Sequence, residues 1–436
     1  MQSIIDTTRE STFNAQEIPV SDLVSVNSLE YPLIQPVSAV VQRRHIQYAT
    51  NVNYNSNGNI TLYTPTGDDY VNYPNSWVSF QLPGSQIVGP TGVVSFDGVV
   101  ADTAANGSEN LVTNIFKQIR ISHSSGTVIA TGRELGAYIR TKHRWYYDKL
   151  WRDTMGSAMG GDITDLITGT DATRYFTIPL YILHGFFSTN KLCPSFASSG
   201  LKIELQLSSA GEALHSSAVA PTDFRVDNFK LHLDQFSLMD SVQSFLNEAS
   251  SKGEIAYNHK SYAWNSTVTG SNNVNLTIDQ AMSQAVSCMA LTRDNASLTT
   301  TPGLARSFAP DSRVSKAQVR IGSNYFPQTE LDGTAADGKD ALMYIWNLMN
   351  SRKGRHNASN VTLAKYKGTG NIGEKGILNF SLERSSTLNV SGHFISGSRN
   401  LTYTATNTTS GLRVDLFCEH YQVNRLYLFD KIVVLT

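Results

Sequence analysis

Alternation of apolar and polar residues dominates much of the chain. In LKIELQL, Leu201, Ile203, Leu205 and Leu207 fall on one face and Lys202, Glu204 and Gln206 on the other. FKLHLDQF repeats the arrangement with Phe229, Leu231 and Leu233. A period of two predicts half-buried antiparallel strands. Further strands are predicted at 37–48, 59–63, 77–82, 115–122, 127–131, 175–180 and 229–236, rich in Val, Ile, Phe, Tyr and Thr. Turn clusters such as NSNGN, PTGDD, LPGSQ, SSG and TTSG punctuate the sequence. Helical periodicity is confined to 133–150, 239–250 and 338–351. Many short strands and few helices predict an all-β sandwich class.

The pattern also repeats. QIRIS at 118–122 returns as QVRIG at 318–322. Each copy is followed by a turn, an extended segment, a helical stretch and another strand, RYFTIPL in the first half and GILNFSL in the second. Each half then closes with two strands: LKIELQL and DNFKLHLDQFSLM in the first, LRVDLFC and NRLYLFDKIVVL in the second. A unit of about 200 residues is too long for a solenoid repeat and fits tandem sandwiches of jelly-roll size. The expected division is an extended arm over 1–35, a first sandwich over 36–238, a linker helix over 239–253 and a second sandwich over 254–436.

At 436 residues the chain is long enough for two or three buried cores. Only 16% of residues are charged, and Lys+Arg 35 against Asp+Glu 36 leaves a net charge of -1. That balance argues against binding nucleic acid by neutralising phosphates. It also provides little repulsion between copies, which suits a protein that assembles. The arm has Arg9 as its one basic residue, against Asp6, Glu10, Glu17, Asp22 and Glu30. An RNA-condensing arm would carry the opposite sign. Cys193, Cys288 and Cys418 are too few and too scattered for a disulfide framework, and no CxxC spacing occurs. The N-terminus shows no basic and apolar leader, and no stretch approaches the roughly 20 apolar residues of a membrane span. The expectation is a soluble protein folded in a reducing compartment.

Chemistry is sparse. The ten histidines show no HxH or HExxH spacing, so no metal ligand or cofactor is expected. No GxSxG or Walker A motif occurs, and no catalytic residue is assigned. The carboxylates Asp68–Asp69, Asp162/Asp165 and Asp337/Asp340 are read as caps of backbone N–H groups. RTKHRWYYDKLWR interleaves bases with Trp145, Tyr146, Tyr147 and Trp151. A nucleic-acid patch is one reading. The balanced charge favours the other, an amphipathic helix burying aromatics against a sandwich edge or a neighbouring subunit. These four aromatics are therefore candidate subunit-interface residues.

The chain resembles the double jelly-roll major capsid proteins, the lineage of adenovirus hexons, virophages and polinton-like viruses. The stretches that carry the likeness are RYFTIPLYILHGFFSTNKLCPSFASSGLKIELQL, VSKAQVRIGSNYFPQTEL and GLRVDLFCEHYQVNRLYLFDKIVVLT. YPNSWVSFQLPG and NIFKQIRISHSSGTVIATG precede them in the expected order. The resemblance implies a non-enzymatic structural protein of an icosahedral DNA virus. Three chains would form a homotrimeric, six-lobed capsomer that tiles the shell of the virion, assembled inside the host cell. Its partners would be further copies, minor capsid and penton proteins and, in some members, an internal membrane, with no sequence-specific nucleic-acid binding. The alternative is a secreted-type two-domain β-sandwich enzyme acting on glycans, or a carbohydrate-binding module. It requires a convergent carboxylate cluster in a cleft.

Overall fold

The computed structural model describes residues 40–435. It leaves aside positions 65, 68, 90–92, 97–111, 124, 148, 161–165, 168–172, 190–192, 195–199, 217–218, 253–254, 297–310, 335–337, 354–360, 369–373, 384–391, 398 and 428–430. The expected arm over 1–35 thus lies outside the described residues. Two compact units are distinguished, Met1–Val41 and Gln42–Thr436. The second unit holds two β-sandwiches.

Eight principal strands make the first sandwich. They are β1 (Val40–Ala49), β2 (Asn59–Tyr63), β3 (Trp77–Pro83), β4 (Phe116–Ser122), β5 (Val128–Arg133), β6 (Thr173–Pro179), β7 (Lys202–Leu207) and β8 (Arg225–Leu238). One sheet runs in the order β1-β8-β3-β6 and the other β2-β7-β4-β5. This is the jelly-roll order, in which successive passes of the chain alternate between the sheets except at the β4–β5 hairpin. Helix α1 (Leu135–Tyr146) is inserted between β5 and β6, and α2 (Asp240–Ser251) follows β8.

The same plan recurs. The strands are β9 (Ile255–Val268), β10 (Asn273–Ile278), β11 (Met282–Asp294), β12 (Val314–Ile321), β13 (Asn324–Asp332), β14 (Ile377–Ser381), β15 (Leu401–Asn407) and β16 (Leu412–Tyr427). Their sheets run β9-β16-β11-β14 and β10-β15-β12-β13. Helix α3 (Lys339–Lys353) occupies the place of α1, and β17 (Lys431–Leu435) adds to β16. Strand for strand the order matches that of the first half. QIRIS and QVRIG indeed lie on equivalent strands, β4 and β12.

One part of the predicted repeat needs correction. LRVDLFC and NRLY are not parts of two strands but the two ends of β16. The counterpart of β7 is β15, LTYTATN. LRVDLFC misled because its alternation mimics LKIELQL, yet β16 is buried on both faces over Val414–His420.

Alternation explains the cores. On β7, Ile203, Leu205 and Leu207 are fully buried while Lys202, Glu204 and Gln206 keep contact with water. They meet Phe229, Leu231 and Leu233 of β8 and Val78, Phe80 and Leu82 of β3 in one core. Phe80 stacks on Phe229 at 5.5 Å and meets Phe116 edge-on at 6.0 Å, so aromatic contact ties the two sheets. Each such side chain contributes about 1.5–3 kcal/mol by leaving water.

Candidate functional site

The chemistry of the described residues gathers where the two sandwiches meet. Sheet β9-β16-β11-β14 turns one face into its own core and the other toward α1 and β5. Three observations define this seam.

The first is an ion network. Arg293 on β11 is 2% exposed and its guanidinium lies 2.5 Å from Asp415 on β16, which is 0% exposed. Arg413 reaches Asp415 at 3.0 Å and Glu134 at 3.3 Å. Trp264 Nε1 also donates to Asp415 at 3.2 Å. On the first sandwich, Lys117 pairs with Glu212 at 2.7 Å. Burial alone would raise the Asp415 pKa, but Arg293 and Arg413 hold it below the usual carboxylate value. Glu134 sits in the left-handed region at φ 49, directly before α1. That conformation is unfavourable for a side chain with a Cβ. It places the carboxylate between both arginines of the other sandwich.

The second is a carboxylate cage around Glu419. Tyr138 of α1 donates to Glu419 Oε1 at 2.6 Å, Lys142 donates to the same oxygen at 3.0 Å, and Ser287 donates to Oε2 at 2.8 Å. Tyr138 stacks on Tyr262 at 3.9 Å. Burial works against the Lys142 ammonium, yet Glu419 and the surrounding tyrosines hold its pKa well above the ordinary value.

The third is close approach of backbone. A Cβ on Gly185 would lie 2.1 Å from the carbonyl oxygen of Lys260, and one on Gly132 2.6 Å from Tyr262 Oη. Tyr262 and Gln422 donate to the carbonyls of Arg133 and Ile129 on β5, at 3.0 and 2.7 Å. Side chains of the second sandwich thereby cover part of an edge strand, a position that otherwise invites pairing with another chain. Gly185→Ala is expected to lower stability by about 1–3 kcal/mol through overpacking, read as a lower urea midpoint. An unchanged midpoint would mean that the seam yields freely at this point.

The four sequence-predicted aromatics lie beside the seam. Trp145 is 1% exposed and belongs to the core. Tyr146, Tyr147 and Trp151 are half-buried and pack against that core. Tyr147 and Trp151 meet at 4.3 Å, and Tyr146 Oη accepts from Asn379 at 3.3 Å. Two of the basic residues among them also turn inward: Arg140 is buried, and Lys142 is bound to Glu419. Among the carboxylates read as caps, Asp340 does lie in the first turn of α3. Asp69 instead binds Arg44 and accepts from Ser237. Asp68, Asp162, Asp165 and Asp337 lie outside the described residues.

Sequence reasoning missed Arg293, Asp415 and Glu419. The available signal was a pair of carboxylates embedded in the apolar run LRVDLFCEH, where a buried charge needs a partner. Among the described residues, no group of three or more His, Cys, Asp or Glu is arranged to hold a metal ion. No described helix is long and apolar enough to cross a membrane.

Comparison of the whole architecture with solved structures gives a consistent answer. The Faustovirus major capsid protein superposes with a TM-score of 0.60 at 9% identity, covering 98% of this chain and 98% of that one. The chain has the double jelly-roll fold of viral major capsid proteins. The mavirus major capsid protein matches at 0.52 with 12% identity, over 94% of this chain and 93% of its own. A chain in the structure of the Sputnik virophage matches at 0.58 with 9% identity, over 94% and 91%. No protein-family model matches the sequence, and no curated protein matches it. Similarity to the double jelly rolls is therefore carried by strand order and not by residue identity. It extends over nearly the full length of both chains in each comparison.

Proposed function

We propose that this double jelly-roll protein is the major capsid protein of an icosahedral DNA virus, acting as a non-enzymatic building block in the virion shell. The carrying observation is the repetition of one sandwich plan twice in a chain, with a built seam between the copies. Inside the chain, β5 of the first sandwich meets β9 of the second. The equivalent elements are β13 and β1. β13 leaves most of its side chains exposed, Tyr325 among them at 46%. β1 is likewise largely exposed from Gln42 to Ala49.

Placing β13 of one chain against β1 of the next reuses the seam between chains. Such a contact is heterologous, and repeated around an axis it closes into a ring. Three chains then supply six sandwiches, a homotrimeric capsomer that fills a hexagonal lattice position. Tyr146, Tyr147 and Trp151 are proposed as anchors between subunits, whereas Trp145 is already occupied within the fold. The proposed division is an arm over 1–35, sandwiches over 36–238 and 254–436 and a linker over 239–253. Minor capsid and penton proteins, an underlying membrane and assembly inside the host cell belong to the same reading.

Light scattering tests it. The expected mass is about three times 47.8 kDa, stable on dilution. Tyr325→Asp should shift the population toward monomer by placing a charge in the contact. Trp151→Ala should weaken the trimer without a matching loss of thermal stability. A monomer at every concentration overturns the ring.

A further inference from the structure

Cys288 on β11 and Cys418 on β16 stand directly opposite one another in the antiparallel ladder. Residues opposed in this way project to the same face of a sheet. Both are fully buried and both are free thiols. The neighbouring opposed pair, Ser287 and Glu419, has its side chains joined at 2.8 Å; a register shift lies just beyond it, between Ala285 and Ser287, and from Ser287 to Asp294 the two strands pair without interruption. Directly opposed antiparallel residues have Cα atoms about 4.5 or 5.5 Å apart. A disulfide accepts Cα separations of about 4.4–6.8 Å. No change of register is required. Cβ separations of about 4.5–5.5 Å between opposed residues must close toward the 3.5–4.5 Å of a disulfide, so the strands draw slightly together. Cys193, by contrast, lies in the first sandwich opposite Val71.

We propose that Cys288 and Cys418 form a redox-switchable cross-strand disulfide in the second sandwich. The oxidant is a small-molecule disulfide of the glutathione class. One cysteine, as thiolate, attacks it and expels one glutathione thiolate, giving a mixed disulfide. The second cysteine thiolate attacks the protein sulfur of that bond and expels the other. Two protein S–H bonds are lost, one S–S bond forms, and one oxidised glutathione becomes two reduced ones. A slightly strained cross-strand bond belongs to the reducible class.

The same geometry sets the rate. Burial, and for Cys288 the nearby Cys418, push both thiols well above the ordinary value. The thiolate is the attacking species, so exchange in the closed sandwich is slow. The bond forms while the sheet assembles or during local opening. In a reducing compartment the pair stays as two thiols. In an oxidising one it becomes a staple between β11 and β16, the two strands that carry the seam. This inference does not depend on the capsid reading.

The test compares full-length protein produced in a reducing and in an oxidising host cytoplasm. The oxidised protein is expected to be 2 Da lighter. A non-reducing digest should link the Cys288 and Cys418 peptides, with Cys193 remaining open to alkylation after denaturation. Its Tm should rise by about 5–10 °C and fall back with dithiothreitol. Cys193→Ser should leave all of this intact, and Cys288→Ala or Cys418→Ala should each abolish it. Three alkylatable thiols in the oxidised preparation overturn the proposal, as does a linkage through Cys193. Purified reduced protein exposed to diamide for several days gives a second route to the same mass and digest, independent of how the chain folds in the host.

Discussion

Replacing Asp415 with alanine is expected to cost about 3–5 kcal/mol of folding stability. The carboxylate is fully buried and accepts from Arg293, Arg413 and Trp264. Arg293 is equally enclosed, so removing its partner leaves a guanidinium away from water without its nearest counter-charge. Glu134, at 3.7 Å from Arg293, compensates only in part. The penalty should therefore arise from Arg293, and this can be separated from a simple packing loss. Arg293→Met introduced together with Asp415→Leu replaces the pair by apolar groups and should recover most of the stability. Urea unfolding of the two proteins beside the parent is the measurement. A loss below about 1 kcal/mol for Asp415→Ala, or no recovery in the double variant, would mean that the network is ornamental to folding.

Acid should weaken the same region before it titrates the carboxylates. His184, His259 and His420 are buried near one another, with His184 and His259 ring centres 5.9 Å apart. His184 Nδ1 accepts from the Phe186 backbone N–H, which leaves the proton on Nε2. The Nε2 atom of His184 finds no hydrogen-bond partner. Burial, then neighbouring positive groups, hold His184 well below its ordinary value. Burial and His420 push His259 down to about 3, and burial lowers His420 to about 4. The folded state thus keeps these rings neutral while the unfolded chain protonates near 6.5. As pH falls through 6.5 the unfolded state binds more protons, and stability drops until the folded values are reached. At pH 5 this amounts to about 2 kcal/mol per ring, so His259 and His420 together remove about 4 kcal/mol. Asp415 and Glu212 have lowered values, so their contribution is lost only at lower pH. Urea midpoints at pH 7.5, 6 and 5 should fall steadily, and His420→Gln should flatten the slope. A midpoint constant from pH 7.5 to 5 would show that the rings are solvated.

Much of the architecture was legible because strand alternation is a local property. Ile203, Leu205 and Leu207 announce a buried face whatever lies around them, and QIRIS with QVRIG marks equivalent strands. The three helices fall close to their predicted stretches for the same reason. The seam was not legible, because it is made by residues that become neighbours only after two sandwiches form. Asp415 falls on the polar side of the alternation in LRVDLFC and Glu419 just past its end, and nothing local says that a second sandwich covers that side. The aromatic helix carried a real signal of burial. Its content resolves into a core tryptophan, Trp145, and a half-buried group, Tyr146, Tyr147 and Trp151. Cys288 and Cys418 were unreadable as a pair because only the register of β11 on β16 brings them level.

The cage around Glu419 also sets a timetable for synthesis. Tyr138 and Glu419 are 281 positions apart. At about 5–20 residues per second, the ribosome needs roughly 14–56 s to supply the second after the first. The eighth strand of the first sandwich ends at Leu238, so for the last 181 of those positions, roughly 9–36 s at the same rate, that sandwich has all its strands while Tyr138 and Lys142 still await their carboxylate. The nascent chain therefore carries one unmated face for roughly 9–36 s, and holding that face apart from other nascent copies becomes a problem of translation speed.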